Sequence, residues 1–122
     1  MSRKKLVLLA HGSSAPRWKK PFEKLAKKLR KTLGKKYVDL IYLDNLNKNL
    51  IKISRHAIKS QIQELIISPV LMASGNHTEK DIPKAIKKIK HKFPKLKIKV
   101  LKPVGENPEI LDAIYKSILK TC

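Results

Sequence analysis

The 122-residue chain is short of cysteine, aromatics and acids, and each shortage excludes something. Its one cysteine is Cys122, so neither an intrachain disulfide nor a thiolate zinc site can be assembled, and Cys122 reads as an incidental end residue. No apolar run approaches the roughly 18 residues needed to cross a bilayer. The basic start, Arg3-Lys4-Lys5, leads into five apolar residues, Leu6 to Ala10, too few for the core of a signal peptide. The expectation is a cytoplasmic protein without a membrane partner. Two Phe, three Tyr and one Trp are too few to interleave with the basic residues as single-strand and RNA binders require. Three phosphate or hydrolase motifs are also missing. There is no Gly-x-x-x-x-Gly-Lys loop and no Gly-x-Ser-x-Gly elbow. A phosphohistidine site of the mutase type wants Arg before His-Gly, where this chain has Ala10.

What the chain has in excess is positive charge. Twenty-nine Lys and Arg against nine Asp and Glu give a formal charge of +20, which concentrates anionic partners around the molecule. The lysines are spread over every expected helix, as in Lys84, Lys87, Lys88 and Lys90, so most of them read as solvated outer faces. An apolar fraction of 42% supplies a core, and the length fits one domain over residues 1–122.

Apolar spacing divides the chain into alternating strands and helices. Leu6 to Ala10 reads as a buried strand. From Pro16 to Leu33, Trp18, Phe22, Leu25, Ala26, Leu29 and Leu33 recur at threes and fours, and Gly34 follows as a stop. Tyr37 to Leu43 forms a second strand, Leu50 to about Gln61 a second helix, and Glu64 to Leu71 a third strand. Thr78-Glu79-Lys80-Asp81 resembles a capping box, so the third helix is expected to open at Thr78 with Pro83 in its first turn and Ile82, Ala85, Ile86 and Ile89 inward. Lys97 to Leu101 is a lysine-bearing edge strand. Asn107-Pro108 then starts a last helix with Ile110, Leu111, Ile114, Ile118 and Leu119 as its apolar face.

Four β-α units with short connections predict an α/β fold: a four-stranded, mostly parallel sheet with helices on both faces, in the flavodoxin-like order 2-1-3-4. Ligands of such sheets bind where the chain reverses direction, at the carboxyl ends of strands 1 and 3. Two histidines fall there. His11 directly follows strand 1, and His77 is expected on the loop after strand 3. Adjacent strands lie about 4.8 Å apart, so both imidazoles can reach one ion or small ligand. Gly12 allows close backbone approach, the amides of Ser13 and Ser14 can form an anion-binding concavity, and Ser74, Gly75 and Asn76 form the facing segment. His56 and His91 fall inside helices and read as surface or packing residues. A non-catalytic basic α/β protein that binds nucleic acid, with structural histidines, is the alternative.

His11-Gly12-Ser13, then Tyr42-Leu43-Asp44, then Ser68-Pro69-Val70-Leu71 with Gly75-x-His77 and Asp81-Ile82-Pro83, resembles the small sirohydrochlorin chelatases, from about Leu6 to Lys120. The family commonly has Phe-Leu-Glu and a Pro-Ser-Leu segment where this chain has Tyr42-Leu43-Asp44 and Lys48-Asn49-Leu50. The resemblance implies a chelatase-like fold, a homodimer, and insertion of Co²⁺, Ni²⁺ or Fe²⁺ into sirohydrochlorin. Its pathways are cobalamin, sirohaem or nickel-tetrapyrrole biosynthesis. It also implies His11 and His77 as the catalytic and metal-binding pair, with no organic cofactor, because the metal is a substrate. With the His11 backbone fixed at a strand end and its ring oriented by packing, and with His77 on a loop that Gly75 lets move, the expectation is that His77 mainly captures the ion and His11 mainly takes protons.

Overall fold

In the computed structural model, residues 3–12, 15–73 and 75–122 are described, with Asn76, His77 and Thr78 described in backbone only. Strands β1 (Lys4–Ala10), β2 (Val38–Tyr42), β3 (Glu64–Pro69) and β4 (Lys97–Val100) alternate with helices α1 (Pro16–Leu33), α2 (Leu46–Lys59), α3 (Asn76–Lys92) and α4 (Pro108–Leu119). The sheet order is β2-β1-β3-β4 and every pairing is parallel, as the sequence pattern predicts. Short runs of β-branched and leucine residues form the inner strands because both their faces are covered, whereas β4 keeps its lysines at an exposed edge.

The two faces differ in how they are packed. On one, Val7, Leu9, Leu65 and Ile67 meet Leu50, Ile53 and Ala57 of α2 and Ile82, Ala85, Ile86 and Ile89 of α3. The inward residues expected for α3 are the ones buried. On the other face α1 covers Leu8 and Val38 through Ala26, with Leu29 and Leu40 partly buried beside them. At the amino end of the sheet the Lys5 ammonium is buried and pairs with the Asp39 carboxylate at 2.7 Å, so that this interior charge has its counter-ion.

Two helix starts differ from the sequence expectation for local reasons. Helix α2 starts at Leu46 rather than Leu50, because a 3₁₀ turn at Leu43–Asn45 feeds directly into it. Helix α3 starts at Asn76 rather than Thr78, with Gly75 in an extended conformation ahead of it and its carbonyl accepting the Glu79 N–H at 3.0 Å. Pro83 therefore lies inside α3, where its missing N–H leaves one carbonyl of the first turns without an intrahelical donor. Helix α4 is capped as expected: the Asn107 side chain accepts the Glu109 N–H at 2.9 Å, and Pro108 fills the first position. Among the described residues, no helix is long and apolar enough to cross a membrane.

Candidate functional site

Strand β1 is central, so whatever leaves its carboxyl end emerges between the exits of β2 and β3. The register sets Ala10 beside Tyr42 and Leu9 beside Pro69, and the Val70 N–H continues the ladder to the Leu9 carbonyl at 2.7 Å. His11 is the first residue beyond that ladder. Its side chain is exposed, and Nδ1 lies 3.3 Å from the Gly12 carbonyl oxygen. A carbonyl only accepts, so the contact is a hydrogen bond in the tautomer that carries its proton on Nδ1, and that tautomer keeps its lone pair on Nε2. Exposure of the ring means that packing does not orient it, contrary to the sequence expectation.

The 3₁₀ turn after β2 carries Asp44 back across the end of β1. A methyl group at Gly12 would overlap the Asp44 carboxylate, so glycine at this position lets that side chain lie against the end of β1. Together they open a cavity of about 710 Å³ at the carboxyl end of the sheet. Its walls are His11 and Gly12 from β1, Leu43 to Lys48 from the turn and first residues of α2, and Asp81, Lys84 and Lys88 from α3. The last three follow one another by three and four positions and so form one stripe of the helix. Both α2 and α3 begin at this end, and their amino termini add positive partial charge to Lys48, Lys84 and Lys88. Tyr42, beside Asp44, has its phenol pushed above its ordinary pKa by burial and then by the carboxylates of Glu23 and Asp44, which keeps it neutral.

The expected site residues are distributed as follows. His11 and Gly12 line the cavity. Ser13, Ser14 and Ser74 lie outside the described residues, as do the side chains of Asn76 and His77. Gly75 precedes α3, and the backbones of Asn76 and His77 form its first two positions, so His77 is helical rather than on a loop. It precedes Asp81 by four residues, one turn of α3. With His77 in a helix, the division of labour expected from a mobile His77 and a packed His11 loses both of its premises.

Sequence reading missed the basic members of this wall and left Asp44 without a role. The signal for Lys84 and Lys88 was present as the stripe that continues from Asp81 along α3. Asp44 carried no such signal, because its approach to Gly12 depends on the turn after β2. His56 and His91 stand clear of this cavity, as expected. His56 lines a separate cavity of about 450 Å³ near the Lys5–Asp39 pair.

Comparison with known proteins gives a consistent picture. The CbiX family model matches residues 5–121. A sirohydrochlorin cobaltochelatase from Sulfurisphaera tokodaii is 28% identical, over 93% of this chain and 89% of that protein. One of the same name from Saccharolobus solfataricus is 25% identical, over 95% and 94% of the two chains. Among solved structures, a protein from Marinobacter aquaeolei VT8 named for CbiX and cobalamin (vitamin B12) biosynthesis superposes with a TM-score of 0.82. It is 28% identical and is covered to 95%, against 98% of this chain. The sirohydrochlorin chelatase SirB from Bacillus subtilis subspecies spizizenii, in complex with cobalt, superposes at 0.78 with 17% identity. It is matched over 97% of this chain but only 50% of its own length.

Proposed function

Since the chain belongs to the CbiX family, we propose that it is a sirohydrochlorin chelatase that inserts a divalent metal ion at the cavity beyond β1, with His11 and His77 as its catalytic and metal-binding residues. The observation that carries this reading is the cavity itself, which His11 and Asp44 line together with Lys48, Lys84 and Lys88.

Sirohydrochlorin carries eight carboxylates, and the lysines with the two helix amino termini offer them a positive rim. Backbone amides at Gly12, Ser13, Ser14, Ser74, Gly75 and Asn76 are the proposed additional contacts to those carboxylates. Insertion exchanges the ion's water for four ring nitrogens and releases two pyrrole protons. Neutral imidazole suits both halves of this exchange, because it ligates first-row metals and its unperturbed pKa of about 6.5 lets it accept protons near neutral pH. With Nδ1–H turned to the Gly12 carbonyl, Nε2 of His11 is the atom available for either task. Asp44, next to it, supplies a hard oxygen donor that shares the ion without enclosing it. Cobalt is the metal to try first, given the names of the relatives, with nickel and iron as the other substrates in the proposal.

The test is spectroscopic. Sirohydrochlorin and Co²⁺ mixed without oxygen should show enzyme-dependent metal insertion by absorbance, and His11→Ala and His77→Ala should each lower the rate by about a hundredfold or more. Wild-type protein no faster than buffer with all three metals would defeat the reading. We further propose that the working form is a homodimer, supported by the doubled length of the SirB chain relative to this one.

A further inference from the structure

The cavity beside the Lys5–Asp39 pair, of about 450 Å³, shares no described lining residue with the candidate site. It lies toward the amino end of the sheet, between α2 and β2, which stands at the sheet edge. Both cavities draw on α2, but from different parts of it: Leu46 to Lys48 face the candidate site, and the turns from Asn49 onward face this one. Its size falls within the roughly 300–1,000 Å³ usual for small-ligand pockets.

The lining is divided by chemistry. Asn49, Lys52, His56 and Ser60 follow one another by three or four positions, so along α2 and its cap they form one polar stripe turned to the cavity. A helix face that only packed on the sheet would be apolar there. The remaining walls are apolar, from Ile41, Ile53, Ile62 and the ring of Tyr37. Lys36 extends over that ring, with its ammonium 5.3 Å from the ring centre, and so adds a cation beside the apolar surface.

Charge indicates the sign of the occupant. The Lys5 side chain, only 9% exposed, also lines the cavity, and its ammonium meets Asp39 at 2.7 Å. An ammonium has three N–H groups, and among the described residues Asp39 is the one partner of Lys5, so a buried cation keeps donors to spare beside an open space. Asp39 is also the one carboxylate of the described lining, and Lys5 matches it. Lys36 and Lys52 make no ion pair among the described residues, so the cavity carries two positive charges without counter-ions.

We propose that this cavity is a second ligand site, separate from metal insertion, and that it takes a small organic acid: a compact apolar body bearing a carboxylate. The carboxylate accepts from Lys5 and Lys52, charge-assisted bonds of the stronger kind, and the body lies on Ile41, Ile53, Ile62 and Tyr37. Both parts are needed. An inorganic anion leaves the apolar walls wet, and a neutral apolar molecule leaves the lysines without a counter-charge.

Titration of the isotope-labelled full chain with naphthoate, followed by amide chemical shifts, tests the proposal. The amides of Tyr37, Lys52, His56 and Ser60 should shift and saturate with a Kd of about 1 mM or lower. Naphthalenemethanol, which keeps the rings and loses the charge, and acetate, which keeps the charge and loses the rings, should each bind about tenfold more weakly or worse. Lys52→Gln should raise the naphthoate Kd about threefold and Lys5→Met about tenfold, whereas Lys90→Gln, an equal loss of charge outside the cavity, should leave it unchanged. Lys52 is exposed and its replacement leaves the core intact, so that variant decides the matter even where Lys5→Met unfolds the chain. Shifts that fail to saturate by about 10 mM, shifts confined to the amides of the candidate site, an alcohol that binds as well as the acid, or a Lys52→Gln Kd no higher than that of Lys90→Gln would each overturn the second site. Metal insertion is not read in this titration, so its outcome leaves the chelatase reading where its own assay puts it.

Discussion

The two faces of the sheet are built to different standards. On the α2–α3 side Leu50, Ile53, Ala57, Ile82, Ala85, Ile86 and Ile89 are all buried, whereas on the other side α1 buries only Ala26. The candidate cavity draws its walls from the end of β1, the turn into α2 and the exposed Asp81, Lys84 and Lys88 of α3, so both helices of the well-packed side contribute to it. The candidate site thus stands at the end of the more closely packed side. The largest expected effect tests this division directly. Leu50→Ala should cost about 2–5 kcal/mol and lower the melting temperature by about 10 °C or more, while Leu25→Ala on α1 should cost less than about 1 kcal/mol. Equal losses in thermal unfolding would mean that the two faces carry the fold alike.

A second prediction takes the comparison to the site. At Gly12 a methyl group has no room, because Asp44 is already there, so Gly12→Ala must displace either the carboxylate or the end of β1. We expect kcat for metal insertion to fall by about tenfold to a hundredfold, with stability changed by less than about 1 kcal/mol. A variant with wild-type kcat would show that the approach of Asp44 to Gly12 is a packing detail alone.

Much of this was legible in the sequence, and the rest was hidden for identifiable reasons. Strand order and the limits of α1, from Pro16 to Leu33, follow from apolar periodicity and from the proline and glycine at its ends. His11 is legible because a buried strand visibly stops before it. His77 was misplaced onto a loop because α3 opens behind Gly75 without a side-chain cap, whereas the capping-box pattern at Thr78 pointed two residues later. The Asp44 contact with Gly12 joins the ends of two strands through a turn that no local pattern encodes. The stripe on α4 is readable as apolar, but periodicity says only that a face wants cover and never which surface supplies it.

The well-packed side has one flaw, and it provides a smaller test. Ser54 is fully buried in α2, and among the described residues its hydroxyl has no hydrogen-bond partner. A buried hydroxyl without a partner costs about 1–3 kcal/mol, part of which is returned by its packing. Ser54→Ala should therefore raise stability by about 1 kcal/mol in urea titration. A destabilised variant would show that the hydroxyl is satisfied within the fold and that this face has no such flaw.

The smallest effects concern the lysines, where the question is whether the cavity's own cations or the charge of the whole chain holds the substrate. Lys84 and Lys88 line the cavity, whereas Lys90 lies on the same helix outside it. Each substitution by Gln removes one of the same number of charges from the total of +20, so a general field would respond equally to all three. A local contact would not. Exposed ion pairs are worth about 0.2–1 kcal/mol, so Lys84→Gln and Lys88→Gln should each raise the tetrapyrrole KM about two- to fivefold at low salt, with kcat unchanged. Lys90→Gln should leave KM nearly alone. The differences should shrink as salt rises from about 0.01 M to 1 M, because the screening length falls from about 30 Å to about 3 Å. If Lys90→Gln raises KM as much as the other two, the substrate is held by the net charge of the chain, and the stripe on α3 has no special part in binding it.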